Sequence, residues 1–229
     1  LEKGAERVGL SHRDVVVEIG CAYGAGTRFL AEKYGCRVLG VDCSNEQITA
    51  AVQNTPEEKY ANASFLLANA QRLPLESDSV DVVVSEAAFS LVADKARAAE
   101  EYWRVLKKGG HVIVNDFTIR NRIDKYLRRQ MSYIPCFAGV QQSFDYQILF
   151  EQAGFTTSVV TDASKDLIKA TLWISKAYKS KPVNISAVFA GLLGERCSGV
   201  DGSPDEKACS LFFRQARLGY VQLIFIKKV

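Results

Sequence analysis

The stretch Glu18-Ile19-Gly20-Cys21-Ala22-Tyr23-Gly24-Ala25-Gly26-Thr27 decides how the chain folds. It follows the β-branched run Val15–Ile19 directly and leads into a helical pattern over 26–34 that Gly35 is positioned to end. A strand, a glycine-rich turn and a helix in that order put the turn at the carboxyl end of a sheet, where open α/β folds bind ligands. The glycines let the backbone bend sharply and approach a bound molecule. A dinucleotide fingerprint starting at Gly20 asks for glycine where Ala22 and Ala25 stand, so G-x-G-x-x-G is not met. Glu18 argues the same way, because a carboxylate at the strand end repels a pyrophosphate held at the helix N-terminus. A cationic ligand suits it.

Outward from this turn, β-branched runs alternate with helix-length segments, the mark of a mostly parallel sheet covered on both faces. Strands are expected at Arg37–Asp42, 63–68, 80–85, 111–117 and 155–160, and a seventh at 220–229 that runs antiparallel if it returns beside the sixth. Ser44 and Gln47 form a capping box that opens a helix ending near Gln53. A long helix is expected over 94–108, stopped by Gly109-Gly110, and another capped by Ser143 or Asp145 and ended by Gly154. The fold class is therefore α/β, a doubly wound seven-stranded sheet with an antiparallel last strand. Helical patterns at 166–179, 186–193 and 205–218 are too long for a hairpin loop and imply a helical cap inserted between strands six and seven. One domain over 1–229 follows, with a donor-binding core at 1–118, an acceptor-side segment at 119–163, the cap at 164–219 and the final strand at 220–229.

Composition narrows the class. A hydrophobic content of 48% excludes disorder, collagen and coiled coil. No apolar run reaches the roughly 18 residues of a membrane span, and no leader resembles a signal peptide. The net charge of +3 implies neither nucleic acid nor an anionic membrane as partner. Cys21, Cys36, Cys43, Cys136, Cys197 and Cys209 form no C-x-x-C pair and there are two histidines, so no metal site is expected and the thiols fit a reducing cytoplasm. The only methionine is Met131, so residues preceding Leu1 are expected in the full protein.

S-adenosylmethionine is a cation of the required kind: an ammonium, a sulfonium, a ribose and an adenine, with no phosphate. Asp42, ending the second strand, stands where a carboxylate accepts hydrogen bonds from ribose hydroxyls. The bland alternatives are a salt bridge for Glu18 and a turn cap for Asp42. With Asn69-Ala70-Gln71-Arg72-Leu73-Pro74, Asp81-Val82-Val83-Val84-Ser85-Glu86 and Trp103-Arg104-Val105-Leu106-Lys107-Lys108-Gly109-Gly110, the chain resembles the class I S-adenosylmethionine-dependent methyltransferases. The resemblance is close over 14–118, looser over 119–160, and nearest to the group of ubiquinone/menaquinone-biosynthesis and arsenite methyltransferases. It implies S-adenosylmethionine as cofactor, held by Glu18, Gly20, Cys21, Tyr23, Gly24, Asp42, Cys43, Asn69, Ala70 and Ser85. Asn69 replaces the family's usual Asp opposite the adenine amino group, a bond that an amide oxygen still accepts. Ala22 replaces the middle glycine and demands a compatible backbone angle.

Methyl transfer from a sulfonium is an in-line displacement in which the protein holds donor and acceptor close and dry. A small-molecule acceptor is expected. His12 and His111 both lie away from the carboxyl-end site, and Asp116 can face the pocket or satisfy backbone. Arg120, Arg122, Lys125, Arg128 and Arg129 form a basic stretch that meets an anion or, more simply, solvent. Beyond it Met131, Tyr133 and Phe137 can line an apolar acceptor pocket, and Cys136 before Ala138-Gly139 is similar to the arsenite branch. Catalytic candidates are thus Cys136, Tyr133 and Asp116. Arsenite or thiol methylation through Cys136, and a donor-binding scaffold without transferase activity, stay open beside the leading assignment; a nicotinamide oxidoreductase is disfavoured by Glu18.

Overall fold

The computed structural model describes residues 1–130, 139–166 and 215–228. Its elements are α1 (Glu2–Arg7), β1 (Val15–Ile19), α2 (Ala25–Tyr34), β2 (Arg37–Asp42), α3 (Asn45–Gln53), β3 (Ala63–Leu67), β4 (Val80–Glu86), a 3₁₀ turn (Phe89–Leu91), α4 (Lys95–Val105), β5 (Leu106–Ile119), α5 (Lys125–Gln130), α6 (Ser143–Gln152), β6 (Thr156–Asp162) and β7 (Leu218–Ile226). One seven-stranded sheet runs in the order β3-β2-β1-β4-β5-β7-β6. Strands β1 to β5 pair in parallel. β7 lies antiparallel between β5 and β6, as the sequence led one to expect of the last strand.

Alternation along the buried strands sorts their side chains onto two faces. On one face Val16, Val38, Val82, Val84 and Ile113 pack with Ala5, Leu30 and Ala31 of α1 and α2. On the other, Val17, Ile19, Val83, Val112, Val114, Leu223 and Phe225 pack against Ala98, Tyr102, Tyr146 and Phe150 of α4 and α6. Phe225 stacks on Phe150 with ring centroids 4.1 Å apart, which fixes α6 to the last strand. The connections from β1 and β4 leave for opposite faces, with α2 on one and α4 on the other, which makes the carboxyl ends of these strands the switch point of the doubly wound sheet.

Three expectations are corrected. The helix expected over 94–108 ends at Val105, and β5 begins at Leu106, which already pairs with Val80. Residues 107–110 bulge before His111 resumes pairing with Val82; Gly109, at φ +79°, donates its N–H to Lys227 O. Gln142, not Ser143 or Asp145, is the N-cap of α6; Asp145 instead accepts the Gln142 N–H at 3.2 Å. At α3 only half of the capping box forms: Ser44 Oγ accepts the Gln47 N–H at 3.3 Å, while Gln47 Oε1 is buried with no partner among the described residues. Most of the cap expected over 164–219 lies outside the described residues, as do Met131, Tyr133, Cys136, Phe137, Cys197 and Cys209. Among the described residues no helix is long and apolar enough to cross a membrane.

Candidate functional site

The glycine turn closes over the ends of β1 and β2 by backbone bonds. Gly20 and Cys21 both donate to Val41 O, at 2.7 and 3.1 Å, and Gly24 donates to Cys21 O at 2.8 Å. Gly20, Ala22 and Gly24 take φ values of +73°, +46° and +77°. Ala22 thus holds the left-handed conformation that its glycine-like position requires, at a cost of about 1 kcal/mol for an L residue. Its N–H donates to Asp42 Oδ2 at 3.0 Å, and Asp42 Oδ1 accepts the Ser44 N–H at 2.9 Å. Asp42 therefore braces the turn against the start of α3, and each of its oxygens keeps a lone pair for a further donor.

Glu18 lies buried under the N-terminal turn of α2, with Oε2 accepting from Thr27 Oγ1 at 2.5 Å. A Cβ at Gly26 would collide with Glu18 Oε1, so the glycine makes room for the carboxylate. Burial raises the Glu18 pKa from 4.5 to about 7; the bond from Thr27 opposes the shift, the neighbouring Glu86 carboxylate adds to it, and Arg28 weakly opposes it. A buried carboxylate held in this way favours a cation placed over it.

The remaining residues expected at the donor site lie at or just beyond the carboxyl ends of β1, β2, β3 and β4. Tyr23 is 41% exposed at the tip of the turn and its carbonyl accepts from Arg28 Nη1 at 2.9 Å. Cys21 is buried, and burial pushes its thiol up to about 12, so its contribution is the backbone of the turn. Cys43 is exposed beside Asp42. Asn69 is exposed, and its Oδ1 accepts the Gln71 N–H at 2.9 Å, a local turn that leaves one lone pair on the oxygen. Ala70 packs against the core, and Ser85 is completely buried between Ile19 and Val114, its hydroxyl without a partner among the described residues.

Glu86, the last residue of β4, did not stand out as a site residue in the sequence. It shares a sheet face with Glu18, Asn115, Gln222 and Tyr220 by strand register. Glu86 Oε1 accepts from the Tyr220 hydroxyl, and Oε2 accepts from Asn115 Nδ2 at 2.8 Å. Asn115 Oδ1 accepts from Gln222 Nε2 at 2.9 Å, and Gln222 Oε1 accepts from Arg7 Nη1 at 2.7 Å. Tyr220 also borders a groove of ≈ 370 Å³ with Thr118, Arg120, Phe144, Val160 and Asp162. Only the position at a strand end could have drawn attention to Glu86; nothing local could have drawn it to Tyr220, whose partner is distant in the chain.

Asp116 is buried. It accepts the Ser90 and Phe117 N–H groups, each at 2.7 Å, and burial raises its pKa to about 6. It fastens the 3₁₀ turn to β5. In the basic stretch, Arg120 pairs with Asp162 at 2.9 Å, Arg122 with Asp145 at 3.5 Å, and Arg128 donates to Val140 O at 2.7 Å. Burial lowers the pKa of His111, half-buried within β5 and away from the carboxyl end. Among the described residues no group of three or more His, Cys, Asp or Glu is placed to hold a metal ion.

Residues 17–114 match the family described as a methyltransferase domain. The 2-methyl-6-phytyl-1,4-hydroquinone methyltransferase of Synechocystis sp. is 30% identical over 175 residues, covering 72% of this chain and 53% of that protein. The arsenite methyltransferase of Halobacterium salinarum is 30% identical over 156 residues, 67% of this chain and 39% of that protein. The chain thus spans about half the length of these relatives, or less. Haemonchus contortus phosphoethanolamine N-methyltransferase 2, solved in complex with S-adenosyl-L-methionine, shares the fold at a TM-score of 0.79 and 17% identity, over 100% of this chain and 52% of that one. Residues 17–114 are a class I S-adenosylmethionine-dependent methyltransferase domain, and S-adenosylmethionine is its cofactor. The buried Glu18, the turn and Asp42 fit that group's charge and its ribose.

Proposed function

We propose that the protein transfers a methyl group from S-adenosylmethionine to a small-molecule acceptor by in-line displacement. The observation that carries this is the joint placement of Glu18 and Asp42 at adjacent strand ends on either side of the glycine turn. Glu18 faces the ammonium end of the donor and Asp42 the ribose, while Asn69 and Ala70 border the adenine. The protein's contribution is position and exclusion of water. Asp116 is read as a brace for the 3₁₀ turn, since each of its oxygens accepts a backbone N–H group.

Titration calorimetry with S-adenosylmethionine tests the donor half: binding that Asp42→Ala abolishes is expected, and absent binding rejects the assignment. Turnover of the labelled methyl group across a metabolite panel tests the acceptor half. Binding without transfer to any acceptor would favour a donor-binding scaffold.

Arsenite methylation is the second reading, favoured by the match to the Halobacterium salinarum enzyme. Cys21 and Cys36 do not support it, since burial holds their thiols up at about 12 and about 11, protonated at neutral pH. Arsenite turnover that is unchanged in Cys136→Ser would remove a thiolate role for that residue.

A further inference from the structure

Glu18 Oε2 accepts a side-chain hydrogen bond from Thr27, and two glycines make room for that pair. Thr27 is completely buried in the first turn of α2. Gly26 leaves space for Glu18 Oε1, and on β2 a Cβ at Gly40 would stand 2.6 Å from Thr27 Oγ1. A hydroxyl and two missing side chains therefore confine one carboxylate. We propose that Thr27 is a positioning residue for methyl-donor binding: by donating to Oε2 it fixes the Glu18 carboxylate in the orientation and charge state that the donor's ammonium requires. This rests on the assignment of the turn as the donor site.

The charged groups around Glu18 act in opposite directions. Glu86 from β4 disfavours its ionised form, whereas the side chain and backbone N–H of Thr27 and the guanidinium of Arg28, all on α2, favour it. Glu18 in turn helps hold the adjacent Cys21 thiol protonated. With burial the largest influence, Glu18 in the donor-free protein carries its proton up to about pH 7. Binding of a cation then takes place with loss of that proton, and affinity falls as the pH drops below about 7. Without the Thr27 hydroxyl the carboxylate loses its strongest opposing influence, so the midpoint of this fall moves to higher pH.

The test is calorimetric titration of the full chain with S-adenosylhomocysteine, which keeps the ammonium, and with 5′-methylthioadenosine, which lacks it, between about pH 5.5 and about pH 8.5. Near pH 7, Thr27→Val is expected to bind S-adenosylhomocysteine about tenfold more weakly, the loss of one charge-assisted hydrogen bond. Its pH midpoint should rise by about one unit. Thr27→Ser should restore both, and methylthioadenosine should bind wild type and Thr27→Val alike. If Thr27→Val does not fold, Thr27→Cys, with similar volume and a weak donor, takes its place in the same comparison. Equal weakening of both ligands at every pH would show a merely structural role and overturn the proposal, as would an unchanged midpoint. Failure of the wild type to bind either ligand would instead reject the donor-site assignment itself.

Discussion

Glu18 shows at the scale of one residue how function opposes stability. Its carboxyl has a pKa of about 7 in the fold against 4.5 in the free state, so the folded protein holds the proton more tightly than the unfolded chain. The sign follows: the stabilisation is complete below about pH 4.5 and is lost as the pH rises through about 7. Glu18→Gln keeps a neutral group there at every pH. It is expected to be more stable than wild type at about pH 8, by up to about 3 kcal/mol at 1.36 kcal/mol per pKa unit, while differing little at about pH 5 and losing donor affinity. Urea unfolding at the two pH values, with donor titration alongside, measures all three effects; equal stability at both would contradict the assigned burial cost. Ala22 is the second such residue. Ala22→Gly relieves the left-handed backbone and should raise stability by up to about 1 kcal/mol with donor binding retained, seen as a higher denaturant midpoint at unchanged slope. The Ala22 conformation was legible in the sequence, since its glycine-like place in the turn dictates the angle. The role of Thr27 was not, because it depends on which side chain the first turn of α2 presses onto Glu18.

Among the elements, two motif stretches that looked separate in sequence meet in space. Glu101 of α4 accepts the Leu73 N–H at 2.9 Å, and Arg104 donates to Leu73 O at 2.9 Å, to Leu75 O at 2.7 Å and to Glu101. The Trp103-Arg104 stretch therefore holds the segment that follows Asn69, on the side proposed for the adenine. Arg104 keeps the Glu101 carboxyl below the usual carboxylate range, chiefly by its hydrogen bond. Arg104→Met would leave Glu101 nearly buried, with Arg97 at 3.5 Å as its remaining ion partner among the described residues, at an expected cost of about 2 kcal/mol. Donor affinity should fall with it, whereas Arg97→Met, at the exposed end, should change neither by more than about 0.5 kcal/mol. Strands β1 and β2 were readable to the residue because buried parallel strands are continuous β-branched runs. The boundary of α4 was not, since Gly109-Gly110 mimics a helix stop while the helix ends earlier, where Leu106 finds Val80. Local signals lose to pairing partners that no window of sequence contains.

For the molecule as a whole, the last strand binds the two halves of the fold into one cooperative unit. β7 carries Phe225 into the α4–α6 core and, from its opposite face, Gln222 and Tyr220 to Asn115 and Glu86 at the donor side. The core thus depends on a strand that follows the whole acceptor-side segment in sequence, which is why the order β5-β7-β6 could be guessed only in outline. A ligand that binds the native state alone stabilises every part of such a unit equally. S-adenosylhomocysteine at about one hundred times its dissociation constant should add about 2.7 kcal/mol, a rise in melting temperature of about 5–10 °C for a chain of this size. Phe225→Ala is expected to lower stability by about 3–5 kcal/mol yet retain the full ligand-induced increment, because its cavity is remote from the turn. Asp42→Ala should do the reverse, with a modest drop in the ligand-free protein and no increment on adding the ligand. Calorimetric melting of the three proteins with and without ligand distinguishes these outcomes, and an increment that disappears in Phe225→Ala as well would mean that the donor site and the core do not unfold together.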